Sequence, residues 1–425
     1  MRVAERAGFS GAVRVERDGQ VLLDAGYGLA NRAEHVAFTP ATVVQIGSNT
    51  KDFTAVAILQ LQEKGRLSLS DSIGKYFPRA PADKRNITIQ QLMDHRAGLP
   101  PNLGGDFDPF DRATLVDSAM RTPLIYAPGT REAYSNTGFS LLAAIIEHVT
   151  GESYDIYVRS AILKPLGLTR TGFLLPGFKS SEIAHGYRAD GRDNGTMLAK
   201  PHAADGPYWN LRGNGGMLST VDDMHTFYTA LFESDRLMTP ATRALRFNPH
   251  EPIGLAGSDG VSFFLYDRFP GMRTEIIIAS TNATMQAPRI RRELGLVLGL
   301  PNPEDGPDSE LAHRTGAKPA PAAIAALLNE FVAMLNAGDA AKLRAFISSH
   351  FDSDPNSPAL DDRVQRFVRM HDNAGGITID RITTYDTGPV EIAVTTQNEG
   401  TALILVNIDT APPYSIHAMQ VRLGN

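Results

Sequence analysis

Residues 301–322, PNPEDGPDSELAHRTGAKPAPA, interrupt the chain with a run rich in proline, glycine and charge that has no sustained apolar period. Such a run offers no apolar face that a hydrophobic core could bury, so it separates what folds before it from what folds after it. A single core stops growing at about 250–300 residues, and the chain has 425. We therefore predict a domain over 1–300, a linker over 301–322 and a second domain over 323–425.

The first domain begins with a hairpin signal. GAVRVERDGQVLLDAGYGLAN alternates apolar and polar residues on both sides of Asp18-Gly19, a dipeptide typical of two-residue hairpin turns. Two more apolar runs, 263–266 and 275–280, are interpreted as strands, and mostly helical periodicity separates them from the hairpin. One sheet must therefore close over a long helical insertion, which predicts an α/β fold in which the two ends of the domain meet.

The second domain has its helices first and its strands after them. Segments with apolar residues at helical spacing precede runs of alternating polarity. The helices are expected over 323–335, 340–347 and 364–371, and the strands over 377–386, 389–398 and 401–409. This order predicts a small α+β domain with antiparallel strands.

The amino-acid composition excludes several classes of function. The chain has no cysteine, which excludes a disulfide framework, a cysteine nucleophile and a metal site built on thiolates. Its formal net charge is −6 and it has no run of lysine and arginine, so neither nucleic acid nor an anionic membrane is an expected partner. The longest apolar stretch, 141–146, is far shorter than the roughly 20 residues of a membrane-spanning helix.

The first residues, MRVAER, have no apolar core of a signal peptide. We therefore expect a soluble protein and leave its compartment open, cytoplasmic if no signal peptide has been removed from the chain. If a signal peptide has been removed from the chain, the expected location is periplasmic or secreted instead.

Ser48 and Lys51 stand where a short β-branched run gives way to a strongly helical segment. The spacing predicts that both side chains lie on one face of the first helical turn. A serine hydroxyl becomes a good nucleophile when a base removes its proton, and a lysine can be that base if burial lowers its pKa from about 10.4 towards 7–8. The helix N-terminus also offers a backbone N–H to a developing oxyanion.

The same residues have a simpler interpretation, in which Ser48 caps the helix and Lys51 is solvated. A serine three residues before a lysine occurs a second time, at Ser72 and Lys75, but in a loop that opens no long helix. The helical context favours the first pair as the catalytic candidate.

A second candidate element, YSN at 134–136, stands in a turn just before an amphipathic helix that ends near 151. A tyrosine beside a lysine of low pKa can pass a proton between a serine and a leaving group. The amide of Asn136 can hold the lysine and meet a substrate carbonyl. The alternative is a buried tyrosine and a turn asparagine, and YWN at 208–210 has the same pattern in a loop. Its position ahead of a helix favours Tyr134.

These two motifs, together with DHRAGLP at 94–100 and GNGGMLSTVDDM at 213–224, resemble in their order the motifs of the serine β-lactamase and penicillin-binding-protein superfamily. The class C β-lactamase-like and esterase-like branch fits best, over about 8–300. The resemblance implies a β-lactamase-like antiparallel sheet flanked by helices, plus an all-helical domain, with the site between them. It also implies acyl-serine chemistry without a metal or another cofactor.

The resemblance assigns roles residue by residue. Ser48 corresponds to the nucleophile, Lys51 to the base, Tyr134 to a second acid or base, and Asn136 to the amide that meets the substrate. Trp209, the one tryptophan of the chain, lies in a loop that would border the site, where a substrate-contacting pocket wall and plain packing are both open. The sequence has no HExxH motif or close His/Asp/Glu cluster, so we expect no metal.

The third motif of the family usually reads Lys-Thr-Gly or His-x-Gly on an edge strand, and it aligns here with LAG at 255–257, so the cation is missing. In this register Gly257 lets the strand approach the substrate, and the backbone N–H of Ser258 completes an oxyanion hole with that of Ser48. A shift of one residue would transfer that role to Gly257 or Asp259. Because the cation commonly pairs with a substrate carboxylate, its loss points to an ester or a peptide-like amide without that carboxylate.

The C-terminal domain resembles the cone-shaped α+β fold of the nuclear-transport-factor-like and ketosteroid-isomerase-like group, through a helix–Gly-Asp–helix segment and the strand order. We expect an accessory role for it, in binding, in walling the cleft or in forming a homodimer.

The leading hypothesis is a metal-independent serine hydrolase that forms an acyl-enzyme at Ser48 and cleaves a small-molecule carboxylic ester or peptide-like amide. A β-lactamase or D-amino-acid peptidase is the alternative within enzymes. A non-catalytic ligand-binding protein on a penicillin-recognising fold is the alternative outside them, because the third-motif cation is absent.

Overall fold

The computed structural model divides the chain into two compact units, Met1–Arg291 and Arg292–Asn425. The residues it describes are 8–174, 176–188, 191–281, 286–301, 318–351, 360–384, 390–398, 400–409, 412 and 414–423. Most of the predicted linker lies outside these described residues.

The first unit combines a main sheet with a layer of helices. Its strands are β1 (Gly11–Arg17), β2 (Gln20–Tyr27), β3 (Leu29–Asn31), β4 (Val36–Ala37), β5 (Val44–Gln45), β6 (Gly186–Tyr187), β7 (Asp193–Gly195), β8 (Leu218–Ser219), β9 (Ile253–Ser258), β10 (Phe263–Phe269) and β11 (Thr274–Ser280). Its helices are α1 (Thr50–Glu63), α2 (Ile89–Met93), α3 (Arg112–Arg121), α4 (Asn136–Thr150), α5 (Tyr154–Val158), α6 (Lys164–Leu166), α7 (Val221–Glu233) and α8 (Pro240–Arg243). The helix α9 (Gln286–Leu298) spans the division between the two units.

The main sheet is antiparallel and has the strand order β2-β1-β11-β10-β9. Asp18 and Gly19 join β1 to β2 with φ angles of 55° and 72°, and a positive φ at both positions is what a two-residue turn of matching twist requires. Val13 of β1 lies opposite Ile278 of β11. The predicted hairpin, the closure of the sheet over a helical insertion and the α/β fold class are therefore confirmed.

The helical layer is built around α1 and α4. All residues of α1 from Thr50 to Leu61 are buried, so the helix is enclosed on every side rather than on one face. Phe53 of α1 stacks on Phe227 of α7 with ring centroids 3.9 Å apart, and residues 141–146 of α4 belong to the same core. Because α1 is held on all sides, the turn that precedes it has a well-defined position.

The second unit is a helical layer on an antiparallel sheet. Its helices are α10 (Ala322–Ala337), α11 (Ala340–His350) and α12 (Leu360–Ala374), and its strands are β12 (Lys318–Pro319), β13 (Ile377–Thr384), β14 (Val390–Thr396), β15 (Gly400–Ile408) and β16 (Ile416–Leu423). The strands follow one another in chain order across the sheet. Leu328 and Phe331 from the helices and Ile392 and Val406 from the strands share one buried core.

The sequence patterns miss two strands of this second sheet. Lys318 and Pro319, inside the predicted linker, pair with Thr384 and Thr383, so the linker ends earlier than expected. Because main-chain hydrogen bonds between strands require no apolar pattern, the composition of this segment did not predict the strand. The last strand, β16, pairs with β15 in antiparallel fashion. The resemblance of this unit to the cone-shaped fold stays a prediction.

Candidate active site

Ser48 lies in a single 3₁₀ turn, Gly47–Asn49, that leads directly into α1. Gly47 has a φ of +50°, a value that L side chains rarely adopt, and it lets the chain turn sharply from β5 into the helix. Lys51 follows one turn later and is only 6% exposed. The local sequence therefore presents the serine at a buried helix N-terminus and the lysine beneath it.

Two polar groups meet at the Ser48 hydroxyl. Lys51 Nζ donates a hydrogen bond to Ser48 Oγ at 3.0 Å, and the Tyr134 hydroxyl lies 2.5 Å from the same oxygen. The Lys51 ammonium nitrogen is also 4.7 Å from the centroid of the Tyr134 ring. A serine oxygen in contact with an amine and a phenol has both a proton acceptor and a proton carrier at hand.

The environment of Lys51 suits a base. Burial lowers the pKa of Lys51 to about 7, against smaller upward effects of the carboxylates of Asp52 and Asp106. The amine is not left without partners, because Nζ also donates to the main-chain oxygen of Asn214 at 2.7 Å. The Asn214 side chain in turn donates to Ser140 Oγ at 2.8 Å. A large share of the lysine is neutral near pH 7, which is the form that can accept the serine proton.

A buried acid lies directly behind the lysine. Asp52 accepts a hydrogen bond of 2.8 Å from the Tyr228 hydroxyl, which itself accepts one of 2.8 Å from Asn49 Nδ2. Burial raises the pKa of Asp52 to about 6, while the bond from Tyr228 lowers it. The carboxyl group of Asp52 is therefore mostly ionised at pH 7 and opposes the loss of the Lys51 proton.

Tyr134 is positioned by Ser135, the N-cap residue of α4, and by His95, which follows α2. The Ser135 hydroxyl caps α4 by accepting the N–H of Gly138 at 3.2 Å, and the backbone N–H of Ser135 donates to His95 Nδ1 at 3.1 Å. The His95 ring lies 4.6 Å from the Tyr134 ring, centroid to centroid. Burial lowers the pKa of His95 to about 4, so at neutral pH its ring is uncharged and can accept that hydrogen bond at Nδ1.

The Tyr134 side chain remains 49% exposed, although its hydroxyl faces Ser48. Desolvation raises the pKa of the Tyr134 phenol, and the hydrogen bond with Ser48 lowers it. The phenol therefore keeps its proton at neutral pH, which makes it a proton donor in the resting state.

Asn136 begins α4, next to this group. Its Nδ2 donates to Asn102 Oδ1 at 2.8 Å, and its own Oδ1 is buried without a hydrogen-bond partner. A buried acceptor without a partner is unfavourable unless a ligand supplies the donor. The Asn136 side chain thus has one acceptor that no described residue satisfies.

The edge strand β9 meets the Ser48 turn at Gly257. A Cβ atom added at Gly257 would lie 2.0 Å from the Ile46 oxygen and 2.5 Å from the Ser48 nitrogen. The nitrogen of Ser258 stands equally close to the site of a Cβ on Gly47, at 2.5 Å. Two glycines thus allow the strand and the turn to touch, and they bring the predicted third motif to the nucleophile.

Trp209 does not share these contacts. The side chain is 5% exposed, belongs to the main hydrophobic core, and has the guanidinium carbon of Arg212 5.1 Å from its ring centroid. These surroundings favour the packing interpretation, and a contact between Trp209 and substrate stays a prediction. The second serine–lysine pair also differs from the first, because Lys75 is exposed and forms an ion pair with Asp71 at 2.7 Å.

Sequence reasoning missed three groups that contact the site. The first is the main-chain oxygen of Asn214. This residue lies in GNGGMLSTVDDM, one of the segments on which the family resemblance rests, but the sequence analysis assigned that segment no role in the site. Asp52 is an acid inside an apolar helix, a signal that predicts a buried partner. Its partner Tyr228 lies 176 residues away, and nothing in the local pattern indicates the pairing.

Neither a metal-binding cluster of side chains nor a membrane-spanning helix occurs among the described residues. They contain no three His, Asp or Glu side chains that lie together in a way that could hold a metal ion. None of the helices in the described part of the chain is long and apolar enough to cross a membrane.

Comparison with known families agrees with this geometry. The family model for Beta-lactamase matches residues 2–274, which is more than half of the chain. The chain belongs to the Beta-lactamase family. This Beta-lactamase family member is 31% identical to PbpX of Bacillus subtilis (strain 168) over 260 residues, which cover 61% of this chain and 62% of PbpX. The chain thus matches less than two thirds of that relative's length.

Solved structures resemble this Beta-lactamase family member in fold. The octameric penicillin-binding protein homologue from Pyrococcus abyssi covers 100% of this chain and 95% of its own, with a TM-score of 0.61 and 20% identity. The D-amino acid amidase from Ochrobactrum anthropi SV3 covers 69% of this chain and 95% of its own, with a TM-score of 0.54 and 21% identity. At such identities the likeness concerns the fold alone.

Proposed function

We propose that the protein is a serine hydrolase of the class C β-lactamase-like branch, which forms an acyl-enzyme at Ser48 and cleaves a carboxylic ester or a peptide-like amide. One observation carries the proposal. The Ser48 oxygen lies within hydrogen-bond distance of both Lys51 Nζ, at 3.0 Å, and the Tyr134 hydroxyl, at 2.5 Å. Membership of the Beta-lactamase family supports it.

Acylation starts from neutral Lys51, which takes the proton of Ser48 as the serine oxygen attacks the carbonyl carbon. In this proposal the oxyanion that forms is stabilised by the backbone N–H group of Ser48, at the helix N-terminus, and by that of Ser258, at the end of β9. Tyr134 then supplies a proton to the leaving alcohol or amine as its bond to the carbonyl carbon breaks. The phenol is replenished from Lys51, 4.7 Å from its ring.

Deacylation uses the same groups in the reverse direction. A water molecule attacks the acyl-serine ester, and one of its protons passes through the Tyr134 hydroxyl to neutral Lys51, while the other stays on the new carboxyl group. The bond between the carbonyl carbon and Ser48 Oγ breaks, the serine regains a proton, and the carboxylic acid leaves. The cycle uses the side chains of Ser48, Lys51 and Tyr134 and requires no metal.

The substrate class follows from the third motif. The strand β9 presents Leu255, Ala256 and Gly257 where a lysine or histidine would pair with a substrate carboxylate. We therefore propose a substrate that lacks that carboxylate. A β-lactamase or D-amino-acid peptidase activity is the second candidate, favoured by the structural likeness to a D-amino acid amidase. Nitrocefin and D-alanyl peptides, compared with p-nitrophenyl acyl esters, separate these activities.

Replacement of the nucleophile tests the proposal directly. Ser48→Ala should abolish both ester turnover and labelling by a fluorophosphonate. The matched control is Ser72→Ala, which removes the serine of the second serine–lysine pair and should leave both measurements unchanged. Intact-protein mass spectrometry with a panel of acyl donors should show mass added at Ser48. Full turnover in Ser48→Ala would refute the proposal, and a wild type that no donor acylates would favour a non-catalytic binding protein.

The C-terminal unit is proposed to have an accessory role, in binding, in walling the cleft or in self-association. The Pyrococcus abyssi homologue, which matches this chain over its whole length, is octameric. Light scattering of the full chain, compared with a chain that ends at Leu300, tests whether the C-terminal unit carries self-association.

A further inference from the structure

One buried hydroxyl group, that of Tyr228, is bonded to the chain neighbours of both the proposed nucleophile and the proposed base. Tyr228 lies on α7 and is fully buried, and its hydroxyl accepts a hydrogen bond of 2.8 Å from Asn49 Nδ2 and donates one of 2.8 Å to Asp52 Oδ2. Asn49 directly follows Ser48 in the chain, and Asp52 directly follows Lys51. A single oxygen atom is therefore bonded to the residue next to the nucleophile and to the residue next to the base.

The ring that carries this hydroxyl is held by other aromatic rings. The Tyr228 ring stacks on the Tyr266 ring of β10 with centroids 3.8 Å apart, and it lies 5.2 Å from the ring of Phe227, its neighbour on α7. Because protein interiors are packed as densely as organic crystals, a ring enclosed in this way has little freedom to move. The sheet and α7 thus give the hydroxyl a defined position beside α1.

The Asn49 side chain depends on this hydroxyl. Asn49 is 1% exposed, its Oδ1 has no hydrogen-bond partner, and its Nδ2 donates to Tyr228. The Oδ1 atom lies 2.7 Å from the site of a Cβ on Gly257, so the amide group stands against β9. Removal of the Tyr228 hydroxyl would leave a buried donor of Asn49 without an acceptor, which is unfavourable. The turn that carries Ser48 would then lose one of the bonds that fix it relative to α7 and β9.

The Asp52 carboxylate depends on the same hydroxyl. Among the described residues, Tyr228 supplies the only hydrogen bond to this carboxylate. The bond lowers the pKa of Asp52 against the larger upward effect of burial, and the ionised carboxylate in turn raises the pKa of Lys51. The other titratable or charged groups of the described chain that interact with Lys51 or Asp52 are Arg246, Asp106, His95 and Tyr134. Loss of the Tyr228 hydroxyl removes none of these groups, so its effect on Lys51 passes through Asp52.

We propose that Tyr228 is a positioning residue of the Ser48 site, whose hydroxyl holds Asn49 and Asp52 and, through them, the nucleophile and the base. The role requires one oxygen that accepts from an amide and donates to a carboxylate, and a tyrosine hydroxyl does both. The inference rests on the proposed function, because it concerns the reaction at the same serine.

Tyr228→Phe tests the role, since it removes the hydroxyl and keeps the stacked ring. We expect kcat for p-nitrophenyl acetate to fall about tenfold on the alkaline plateau, where Lys51 is neutral, with KM changed little, because a displaced nucleophile affects the chemical step. We also expect the midpoint of the kcat/KM profile to move to lower pH by about half a unit, because a less ionised Asp52 raises the pKa of Lys51 less. A tyrosine that only stabilised the fold would lower the melting temperature without moving this midpoint.

Tyr266→Phe is the matched control. Tyr266 is buried in the same stack, but burial and the charge of Glu275 on β11, rather than Asp52, raise the pKa of its phenol. This variant should keep both the plateau kcat and the midpoint of the wild type. A wild-type pH profile in Tyr228→Phe, or the same midpoint shift in Tyr266→Phe, would overturn the proposal.

A double variant tests whether the effect on the base passes through Asp52. Tyr228→Phe combined with Asp52→Asn should have the midpoint of Asp52→Asn alone, since the hydroxyl then has no carboxylate to act on. A further shift in the double variant contradicts this route. Asn49→Ala removes the other partner of the hydroxyl, so the plateau kcat should fall while the midpoint stays, because Asp52 keeps its hydrogen bond. An unchanged plateau kcat in Asn49→Ala counts against the positioning role even if Tyr228→Phe fails to fold.

A measurement without substrate separates this inference from the proposed function. The NMR signal of Lys51 Cε, identified as the one that Lys51→Arg lacks, reports the pKa of Lys51 directly. A lower pKa of Lys51 in Tyr228→Phe than in the wild type supports the inference even if no substrate is cleaved, and an equal pKa overturns it. Absence of fluorophosphonate labelling in the wild type counts against the proposed hydrolase only.

Discussion

Gly257 should tolerate no side chain, because β9 touches the nucleophile turn there. In the Gly257→Ala variant the new Cβ would lie 2.0 Å from the Ile46 oxygen, 2.5 Å from the Ser48 nitrogen and 2.7 Å from Asn49 Oδ1. Ordinary contacts begin at 3.4 Å, so the strand and the turn must separate by more than an ångström. Two of the three atoms belong to the main chain and cannot rotate away.

That separation has a calculable consequence for catalysis. The N–H of Ser258 would leave the oxyanion, and loss of one such donor reduces kcat about 10²- to 10³-fold. Overpacking of a tight contact also destabilises a fold by about 1–3 kcal/mol. We therefore expect kcat for p-nitrophenyl acetate to fall at least about 100-fold in Gly257→Ala, with KM changed little and a lower melting temperature.

The assay is steady-state kinetics with p-nitrophenyl acetate, combined with thermal unfolding. Gly271→Ala is the matched control, because a Cβ at Gly271 meets no atom within 4 Å and that residue does not have a positive φ. The control should keep both its kcat and its melting temperature. A kcat for Gly257→Ala within threefold of the wild type would show that the close approach of β9 does not matter for catalysis.

Three further predictions concern the residues around Ser48. Because burial lowers the pKa of Lys51 to about 7 and its neutral form is the base, kcat/KM should rise with pH through a midpoint near 7, and a flat profile between pH 5.5 and 8.5 would contradict this. Asp52→Asn removes a negative charge that raises the pKa of Lys51, so the midpoint should move to lower pH, and an unchanged or higher midpoint would count against the coupling. Tyr134→Phe keeps the ring beside Lys51 and His95 but removes the hydroxyl. Amide turnover should therefore fall more than turnover of p-nitrophenyl esters, whose leaving group needs no proton, whereas equal losses would argue against Tyr134 as the proton donor.

Much of the framework could be predicted from local sequence. The alternation around Asp18-Gly19 predicted the first hairpin, and the helical context of Ser48 and Lys51 predicted one turn that presents both side chains. These features depend on the backbone preferences of adjacent residues and on the periodicity of apolar residues, and both can be read directly from a sequence. The short strand β12 was not predicted, because main-chain pairing between two segments does not require a particular amino-acid composition.

The chemistry of the candidate site depends on contacts between distant segments. The sequence by itself determined that no thiol can be the nucleophile, since it has no cysteine, and that Ser48 precedes a helix with Lys51 one turn on. Only the tertiary structure decided that the pKa of Lys51 is lowered to about 7, because a pKa follows burial and neighbouring charge as well as residue type. It also brought Gly257 of β9 against the Ser48 turn, a contact that forms only when the sheet closes over the helices.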